Sequence, residues 1–335
     1  ACYLQQDLKL KKGDRVAIML PNILQYPVAL CGILRAGLVV VNVNPLYTPR
    51  ELKHQLRDSG AQSIIILDNF AHVLAEIIDD TSVEQVILTK VGDLLSFPKN
   101  HIINFVLKYI KKVVPKYTLN SIINFQDTIE NTTQHSLNPV DLNGDDLAFL
   151  QYTGGTTGLS KGAMISHKNM VCNLHQSKAW QGNLFDDVEV IIAITALPLY
   201  HIFSLQSNCL AMMLDGGENV LITNPRDFPA FVKELKKHKF VYITGVNTLY
   251  ASLLNTPGFD EIDFTELRFT VGGGMAIQKA VSKDWEKITG QPILQAYGLT
   301  ETSPAAVVNP IDITEFSGSI GLPISSTEVS IRNDQ

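Results

Sequence analysis

The sequence predicts an α/β fold in which mainly parallel strands alternate with helices. Short runs rich in β-branched residues recur along nearly the whole chain, and amphipathic stretches separate them. This alternation is typical of parallel sheets, whose crossover connections are usually helices. One helix also has a clear entry signal, because Pro49 follows Thr48, a favoured N-cap residue. Two βα lobes, residues 1–185 and 186–312, fit this pattern.

The predicted strands are short apolar runs dominated by Val, Ile, Phe and Tyr. In chain order they are Arg15–Met19, Val39–Val43, Ser63–Leu67, Gln85–Leu88, Ala148–Tyr152, Val188–Ile194, Val220–Thr223, Phe240–Thr244, Phe269–Val271 and Ile293–Tyr297. The predicted helices lie between them and are longer, with an apolar face. They are Ile23–Ala36, Pro49–Ser59, His167–Trp180, Phe203–Leu214, Asp227–His238 and Ile277–Gly290.

Residues 313–335 have a different pattern, with short alternating segments punctuated by Gly318, Gly321 and Pro323. We interpret them as the start of a small β-barrel. Residues 1–4 read as the inside of a helix, and residues 328–331 alternate as a strand does. We therefore expect the sequence to be a fragment of a longer protein.

Composition narrows the functional classes. The chain is 45% hydrophobic and 18% charged, which is ordinary for a soluble globular protein. A formal charge of −6 argues against a nucleic-acid binder, which usually has a basic surplus. The cysteines, Cys2, Cys31, Cys172 and Cys209, have no metal-ligand spacing and suggest reduced thiols in a cytoplasmic protein. We see no signal peptide, and no apolar run approaches the roughly 20 residues that span a bilayer.

The run from Tyr152 to Gly162 is the strongest chemical signal. Its glycines allow backbone N–H groups to approach an anion, and its hydroxyls and lysine add donors and positive charge. It follows an apolar strand and precedes a helix expected near His167, so we place it where strand gives way to helix. It is not a Walker loop, because Ser160 precedes Lys161. The predicted phosphate-binding residues are Thr153, Gly154, Gly155, Thr156, Thr157, Gly158 and Lys161. A flexible linker is the alternative interpretation.

This order of residues resembles the phosphate loop of the adenylate-forming enzymes, which include acyl-CoA synthetases, luciferases and peptide-synthetase adenylation domains. Further stretches resemble that family in order and spacing: 197–203, 271–275 and 295–302. Residues 21–27, 43–52 and 222–227 are most similar to bacterial long-chain fatty-acid–CoA ligases. Two loop positions differ from the commonest family pattern, with Gly154 in place of Ser and Ser160 in place of Pro.

The resemblance implies a reaction in two halves. A fatty carboxylate attacks the α-phosphate of ATP to give acyl-adenylate and pyrophosphate, and the thiol of CoA then displaces AMP. Magnesium would offset the phosphate charge, bound by Glu301 with help from Thr153, while Thr300 would hydrogen-bond the α-phosphate. The nucleotide-site residues implied outside the phosphate loop are Gly272, Gly273, Gly274, Gln295, Ala296, Tyr297, Gly298 and Thr300. The alternative for Glu301 is an ordinary surface carboxylate.

His201 lies in a strongly apolar segment. A lone histidine there is more often a hydrogen-bonded core residue, but the resemblance places it near the substrate carboxylate and the adenylate phosphate. With Thr300 and Glu301 it completes the predicted catalytic set. Its role would be positioning or charge stabilisation, because no covalent enzyme intermediate is required.

Several features bear on the substrate. No acidic residue lies between Val190 and Asp215, which argues against an amino-acid substrate, whose ammonium group would need a partner. Residues 245–250 match the family segment that walls the acyl tunnel. The alternatives are an aryl- or medium-chain acyl-CoA ligase and a non-catalytic lipid-binding module. The family's Thr-Gly-Asp motif and C-terminal lid do not occur before Gln335, so we expect this fragment to be inactive alone.

Residues 102–114 predict an amphipathic helix. Its apolar arc is formed by Ile102, Ile103, Val106, Leu107, Ile110, Val113 and Val114. Asn104, Lys108, Lys111 and Lys112 lie on the other side. Such a helix can contact an anionic membrane surface, or it can simply pack on its own domain with its lysines extended into solvent. The sequence gives no indication of the oligomeric state.

Overall fold

The computed structural model describes residues 1–130, 136–154 and 159–333. The chain divides into two compact units, Ala1–Lys168 and Asn169–Gln335. Among the described residues each unit contains a seven-stranded sheet, so the predicted α/β fold with mainly parallel sheets is confirmed. The predicted domain limits, residues 1–185, 186–312 and 313–335, stay a prediction.

The sheet of the first unit consists of strands β1 to β7, in the spatial order β5-β4-β3-β1-β2-β6-β7. The strands are β1 Arg15–Met19, β2 Val39–Asn42, β3 Ser63–Leu67, β4 Gln85–Thr89, β5 Ile122–Asn124, β6 Leu147–Thr153 and β7 Lys161–Ser166. All neighbouring pairs are parallel except β6 and β7. The central strands are buried on both faces, which explains why they read as continuous apolar runs.

The helices of the first unit are α1 Cys2–Gln6, α2 Gln25–Arg35, α3 Pro49–Ser59, α4 Ala71–Ala75, α5 Lys99–Phe105 and α6 Phe125–Glu130. Helix α3 has the predicted bounds and a capping box: Thr48 accepts from the backbone of Glu51, and the Glu51 carboxylate accepts from the backbone of Thr48. Leu52 and Leu56 of this helix are fully buried against the sheet.

The sheet of the second unit has the order β14-β13-β12-β11-β10-β8-β9. Its strands are β8 Ile192–Thr195, β9 Glu218–Leu221, β10 Tyr242–Gly245, β11 Phe269–Gly272, β12 Leu294–Gly298, β13 Ala305–Val308 and β14 Leu322–Pro323. Strands β8 to β12 are parallel to their neighbours, whereas β13 and β14 are antiparallel. After residue 312 the described chain adds only β14, and no closed barrel occurs within it.

The helices of the second unit are α7 His167–Gln181, α8 Ile202–Ser204, α9 Ala211–Asp215, α10 Phe228–Leu235, α11 Asn247–Leu254 and α12 Lys279–Thr289. The first of these begins in the last residues of the first unit. The core centres on Trp285, which packs edge-on against Tyr250 with ring centroids 4.7 Å apart.

Some predicted elements differ from the structure. The helix predicted over Phe203–Leu214 is interrupted, because the π-helical segment Leu205–Leu210 separates α8 from α9. Residues 328–331 form no strand, since no partner strand pairs with them in the described chain. The prediction missed β7, an edge strand in which Met164 is 74% exposed and the apolar alternation is therefore weak.

Part of the predicted apolar arc of the amphipathic segment is exposed, since Ile102 and Ile110 are each more than half exposed. The segment consists of α5 followed by the π-helical segment Val106–Ile110. Asn104, predicted on the side opposite the apolar arc, bonds within the protein: its amide oxygen accepts from the backbone of Gly92 at 2.8 Å, and its amide nitrogen donates to Asp93 at 3.0 Å. On the outer side, Ile102, Phe105 and Tyr109 are each more than half exposed. None of the helices in the described ranges is both long enough and apolar enough to cross a bilayer.

Candidate functional site

The predicted phosphate loop connects the two strands of a hairpin in the first unit. Thr153, the last residue of β6, pairs directly with Lys161, the first residue of β7. Thr153 is half-buried, whereas Gly154 and Lys161 are exposed. The predicted residues Gly155, Thr156, Thr157 and Gly158 lie outside the described residues. The expectation that the loop leads from strand into helix is wrong, because β7 intervenes and the helix begins at His167.

Helix α3 supports this hairpin through side-chain contacts. The hydroxyl of Tyr152 donates to Asp58 at 2.6 Å, and the ring of Tyr152 covers Gly162, where an added Cβ would lie 3.0 Å from it. Burial, followed by the bond to Asp58, raises the pKa of Tyr152, so the phenol remains a protonated donor. On the other side of the loop, Nε2 of His54 lies 2.9 Å from the carbonyl oxygen of Ser160.

The contact of His54 is one that the sequence did not predict. His54 lies on the exposed side of α3 with Arg50, Lys53 and Arg57, around an open cleft of about 460 Å³ that Asp58 also lines. The helical spacing of these residues places them on one face. No sequence signal connects His54 to Ser160, because the two residues are 106 positions apart. The basic face of α3, formed by Arg50, Lys53, His54 and Arg57, therefore lies next to the loop at Ser160.

The other predicted site segments lie at one edge of the second sheet. Strands β8, β10, β11 and β12 are parallel, so their carboxyl ends meet at the same edge. Residues 197–203 follow β8, residues 273–275 follow β11, and residues 299–302 follow β12. The predicted acyl segment, residues 245–250, begins at the end of β10. In open α/β sheets this edge is where ligands bind.

His201 caps the short helix α8. Its Nδ1 accepts from the backbone N–H of Phe203 at 3.3 Å. Because Nδ1 is the acceptor, the neutral ring carries its proton on Nε2, which is then available as a donor. The side chain keeps contact with solvent, but the surrounding protein limits its hydration, and this desolvation lowers the pKa of His201. At neutral pH the imidazole is therefore an uncharged hydrogen-bond donor.

The glycines at the end of β11 and directly after it permit unusually close packing. A Cβ on Gly272 would lie 2.6 Å from Ile277, and one on Gly273 would lie 3.0 Å from the ring of Phe203 and 3.1 Å from the carbonyl oxygen of Ala296. Gly274 has a φ of 75°, a backbone conformation that favours glycine. The N–H of Gly273 donates to the carbonyl of Gly245 at 3.2 Å, which joins this segment to the end of β10.

Residues 295–298 have two different roles in the structure. The side chain of Gln295 is buried and bonds the protein itself: its oxygen accepts from the backbone of Ile277 and its nitrogen donates to the carbonyl of Ser319. Tyr297, by contrast, is 47% exposed at the carboxyl edge of the sheet. Gly298 lies against the backbone of Pro304, where a Cβ would be only 1.9 Å from the carbonyl oxygen.

Thr300 and Glu301 form a short 3-10 turn immediately after β12. The backbone N–H of Leu299 donates to the hydroxyl of Thr302 at 2.9 Å, which fixes the turn. Thr300 is buried, whereas Glu301 is exposed and makes no hydrogen bond or ion pair within the part of the chain that the structure describes. A single carboxylate of this kind fits Mg²⁺, which usually combines one or two carboxylates with phosphate and water oxygens.

The described residues contain no preformed cluster of metal ligands. Among residues 1–130, 136–154 and 159–333, no group of three or more His, Cys, Asp and Glu side chains comes together. The predicted metal ligands Thr153 and Glu301 therefore stay a prediction.

The chain is similar to bacterial acid–thiol ligases along its whole length. It is 57% identical over 334 residues to a long-chain-fatty-acid–CoA ligase from Escherichia coli O6:H1, covering 100% of this chain and 59% of that protein. A long-chain-fatty-acid–CoA ligase from Haemophilus influenzae is 51% identical over 336 residues, with 100% of this chain and 60% of that protein covered. The chain thus spans about three-fifths of the length of these curated relatives.

Solved structures share the fold at lower identity. The anthranilate CoA ligase AuaEII, crystallised with anthranoyl-AMP, has a TM-score of 0.82 at 21% identity and covers 98% of this chain and 58% of its own. A long-chain-fatty-acid-CoA ligase from Archaeoglobus fulgidus has a TM-score of 0.74 at 23% identity, covering 95% and 59%. The family model described as AMP-binding enzyme matches residues 1–335. A match that runs through both units makes this chain a member of the AMP-binding enzyme family.

Proposed function

We propose that the whole protein is a long-chain fatty-acid–CoA ligase that forms AMP. The observation that carries this proposal is the identity of 51–57% to long-chain-fatty-acid–CoA ligases over the full length of this chain. In the first half-reaction a fatty carboxylate oxygen bonds to the α-phosphorus of ATP and pyrophosphate leaves. In the second, the sulfur of CoA bonds to the acyl carbon, AMP leaves and the thiol proton is released.

The phosphate hairpin would bind the nucleotide's phosphates. Lys161 supplies a positive charge at the mouth of the loop, directly opposite the Thr153 hydroxyl across the strand pair. The residues from Gly154 to Gly158 would add backbone N–H groups and hydroxyls. Helix α3 contacts the hairpin on both sides of the loop, at Tyr152 and at Ser160, and would support its two ends.

Magnesium would be bound by Glu301 and Thr153. The exposed Glu301 carboxylate has a free coordination position, and a hydroxyl is a suitable oxygen ligand for this hard cation. When bound, the ion offsets phosphate charge and stabilises the charge that develops as pyrophosphate leaves. The buried Thr300, held in the same turn, would orient the α-phosphate by a hydrogen bond.

The carboxyl edge of the second sheet would bind the adenine and the acyl carboxylate. Tyr297 offers a half-exposed aromatic ring, and Gly274, with its φ of 75°, would let the backbone of the segment 272–274 approach the base. His201 would donate its Nε2 proton to the carboxylate or to the adenylate phosphate. His201 needs no charge for this role, which agrees with the lowering of its pKa by desolvation. The acyl chain would lie along residues 245–250.

We also propose that the protein contacts anionic membrane through residues 102–114. Phe97 is 80% exposed and Ile110 66% exposed, and Ile102, Phe105 and Tyr109 share the same outer surface. Lys108, Lys111 and Lys112 are exposed beside them. Aromatic and aliphatic side chains bordered by lysines are the composition of interfacial helices. A substrate that partitions into membrane would then be collected where it is concentrated. As part of the same proposal, the protein would be cytoplasmic and peripheral on the inner face of the membrane.

One assay tests the ligase assignment. On the full-length protein, pyrophosphate release from ATP and Mg²⁺ should require a fatty acid, and acyl-CoA should appear only when CoA is added. Palmitate, octanoate and benzoate compared at equal concentration separate a long-chain ligase from a medium-chain or aryl ligase. Fatty-acid binding without pyrophosphate release would instead indicate a non-catalytic lipid-binding module.

A further inference from the structure

We propose that Asn208 is a positioning residue for His201, because its buried amide ties the segment that carries His201 to the ends of strands β8 and β10. The inference rests on the proposed function, since it assumes that His201 acts in adenylate formation.

Asn208 lies in the π-helical segment Leu205–Leu210 and is fully buried. Its side-chain oxygen accepts from the hydroxyl of Thr244, the penultimate residue of β10, at 2.8 Å. Its side-chain nitrogen donates to the carbonyl oxygen of Ile194 in β8 at 3.3 Å. One amide therefore joins the helix after His201 to two neighbouring strands of the sheet.

Hydrogen bonds next to Asn208 also close the loop that carries His201. The hydroxyl of Ser204 donates to the carbonyl oxygen of Leu197 at 2.8 Å, and it lies 3.5 Å from the side-chain oxygen of Asn208. The backbone N–H of Leu205 donates to the carbonyl of His201 at 3.0 Å. Residues 197–205 thus form a loop whose ends are joined next to Asn208.

A second layer of bonds holds Asn208 itself. The side-chain nitrogen of Asn219, on the edge strand β9, donates to the backbone oxygen of Asn208 at 3.2 Å. The hydroxyl of Thr195 donates to the side-chain oxygen of Asn219 at 2.6 Å. Thr195 and Thr244 are both fully buried, so these bonds form away from water.

The chemistry of the network favours a positioning role over simple stability. A buried polar network contributes little net stability compared with well-packed apolar side chains, but it accepts only one arrangement of its members. A π-helical segment is also less regular than an α-helix and frequently occurs at functional sites. The network therefore specifies where α8, and with it the His201 ring, lies against the sheet.

The network also reaches the adenine segment. Thr244 precedes Gly245, whose carbonyl accepts from Gly273, and the ring of Phe203 lies against Gly273. Movement of the His201 loop would displace Phe203 from this packing. The His201 loop therefore borders the adenine segment through Phe203.

The test uses the full-length protein and three single variants. Thr244→Val removes the hydroxyl that bonds Asn208 while keeping the shape of the side chain, and Asn208→Leu removes the amide. Thr270→Val is the matched control: Thr270 lies beside Ile243 on the neighbouring strand β11 and is equally buried. Its hydroxyl has no hydrogen-bond partner within the described ranges. All three variants are compared with His201→Gln.

We expect Thr244→Val and Asn208→Leu to lower kcat for adenylate formation by about 10-fold to 100-fold, because small displacements of a catalytic group have effects of that size. The KM for ATP should stay close to that of the wild type, since the phosphate loop is unchanged. Hydrogen exchange of residues 197–204 should become faster. Thr270→Val should change none of these. Combining Thr244→Val with His201→Gln should slow the reaction no more than His201→Gln alone.

The outcomes separate the two proposals. If His201→Gln leaves kcat unchanged, the role of His201 in the proposed function is wrong, whatever the exchange rates show. If His201→Gln is slow but Thr244→Val and Asn208→Leu behave like Thr270→Val, Asn208 does not position His201. If Thr244→Val lowers kcat by the same factor in the wild type and in His201→Gln, the inference is also wrong, because the loss would then not act through His201. If Asn208→Leu does not fold, the milder Thr244→Val decides the question.

Discussion

At the scale of single residues, Glu301 and Lys161 carry the largest expected effects, because each supplies a charge to the phosphates. Glu301→Ala in the full-length protein should reduce magnesium-dependent adenylate formation by roughly 10²–10³, since a charged contact contributes a few kcal/mol to the transition state. Pyrophosphate release as a function of magnesium concentration measures this. Glu315→Ala, which removes another exposed glutamate of the same unit, is the control. Unchanged kinetics in Glu301→Ala would contradict the metal assignment.

Lys161→Ala should weaken the use of ATP by a comparable factor of roughly 10²–10³. Steady-state kinetics with varied ATP should show the loss mainly in kcat/KM for ATP. Lys168→Ala removes a second exposed lysine of the first unit and should have little effect. Similar losses in both variants would mean that general electrostatic attraction, rather than a bond at the loop, explains the result.

Asp68 gives a residue-scale prediction about stability. Burial, the largest cause, raises the pKa of this carboxyl to about 6 from an ordinary 3.8. The folded state therefore binds the proton more tightly than the unfolded state, and its stability falls as pH rises from about 4 through 6. Asp68→Asn should stabilise the protein at pH 8 by about 2–3 kcal/mol, and the gain should disappear below pH 4.

Thermal unfolding between pH 4 and pH 8 measures the effect of Asp68→Asn. Asp80→Asn is the contrasting control, because Asp80 is exposed and bonds Lys53, which lowers its pKa. The control should show a small change of opposite sign. A pH-independent gain in Asp68→Asn would show that packing, and not the buried charge, is responsible.

At the scale of elements, the segment 102–114 has a surface that its own unit does not cover. Replacing Lys108, Lys111 and Lys112 with Gln should reduce binding to anionic vesicles, because each lysine near the surface adds about 1 kcal/mol of attraction. Added salt should weaken binding of the wild type. Thermal stability should change by less than about 0.5 kcal/mol per exposed substitution.

Helix α12 provides a matched control for charge. Lys279, Lys283 and Lys287 are also exposed on one helix, so their replacement with Gln removes the same charge elsewhere. Vesicle sedimentation should respond to the first triple variant and not to the second. Phe105→Ser should reduce binding at high salt, where the apolar contribution remains. Equal binding by all variants would leave the segment without a membrane role.

The elements also show what the sequence could predict. The buried strands β1 and β3 and helix α3 have the predicted bounds, because continuous Val and Ile runs and the Thr48–Pro49 entry signal are strong local patterns. Strand β7 was missed because an exposed edge strand has little apolar alternation. The interruption of the predicted helix by Leu205–Leu210 depends on the bonds of Asn208 to strands that are distant in sequence, which no local pattern reports.

The candidate site was predictable in part. Motif order predicted Thr153, Lys161, His201 and Glu301 as site residues, and the structure places His201 and Glu301 just after the carboxyl ends of parallel strands. The motif order did not indicate that the side chain of Gln295 bonds the protein's own backbone. It also did not indicate that His54 lies at the base of the phosphate loop. Both contacts join residues that only tertiary structure brings together.

At the scale of the whole molecule, substrate preference is the decisive property. Because residues 191–214 contain no acidic side chain, the full-length protein should not activate amino acids. Among carboxylic acids, kcat/KM should rise with chain length, since each buried methylene adds about 0.8 kcal/mol of binding. A panel from octanoate to palmitate, assayed by pyrophosphate release, measures this slope. A maximum at benzoate would favour an aryl-CoA ligase.

The position of β2 inside the first sheet, between β1 and β6, has a consequence for biosynthesis. Val40 pairs with Phe149, so one edge of β2, with its consecutive valines, stays open until more than a hundred further residues have been made. An open apolar strand edge recruits other chains. Nascent chains that stall before β6 should therefore aggregate or require a chaperone, whereas chains that extend past β7 should not. The strands β6 and β7, which flank the phosphate loop, would then also protect the nascent chain from aggregation.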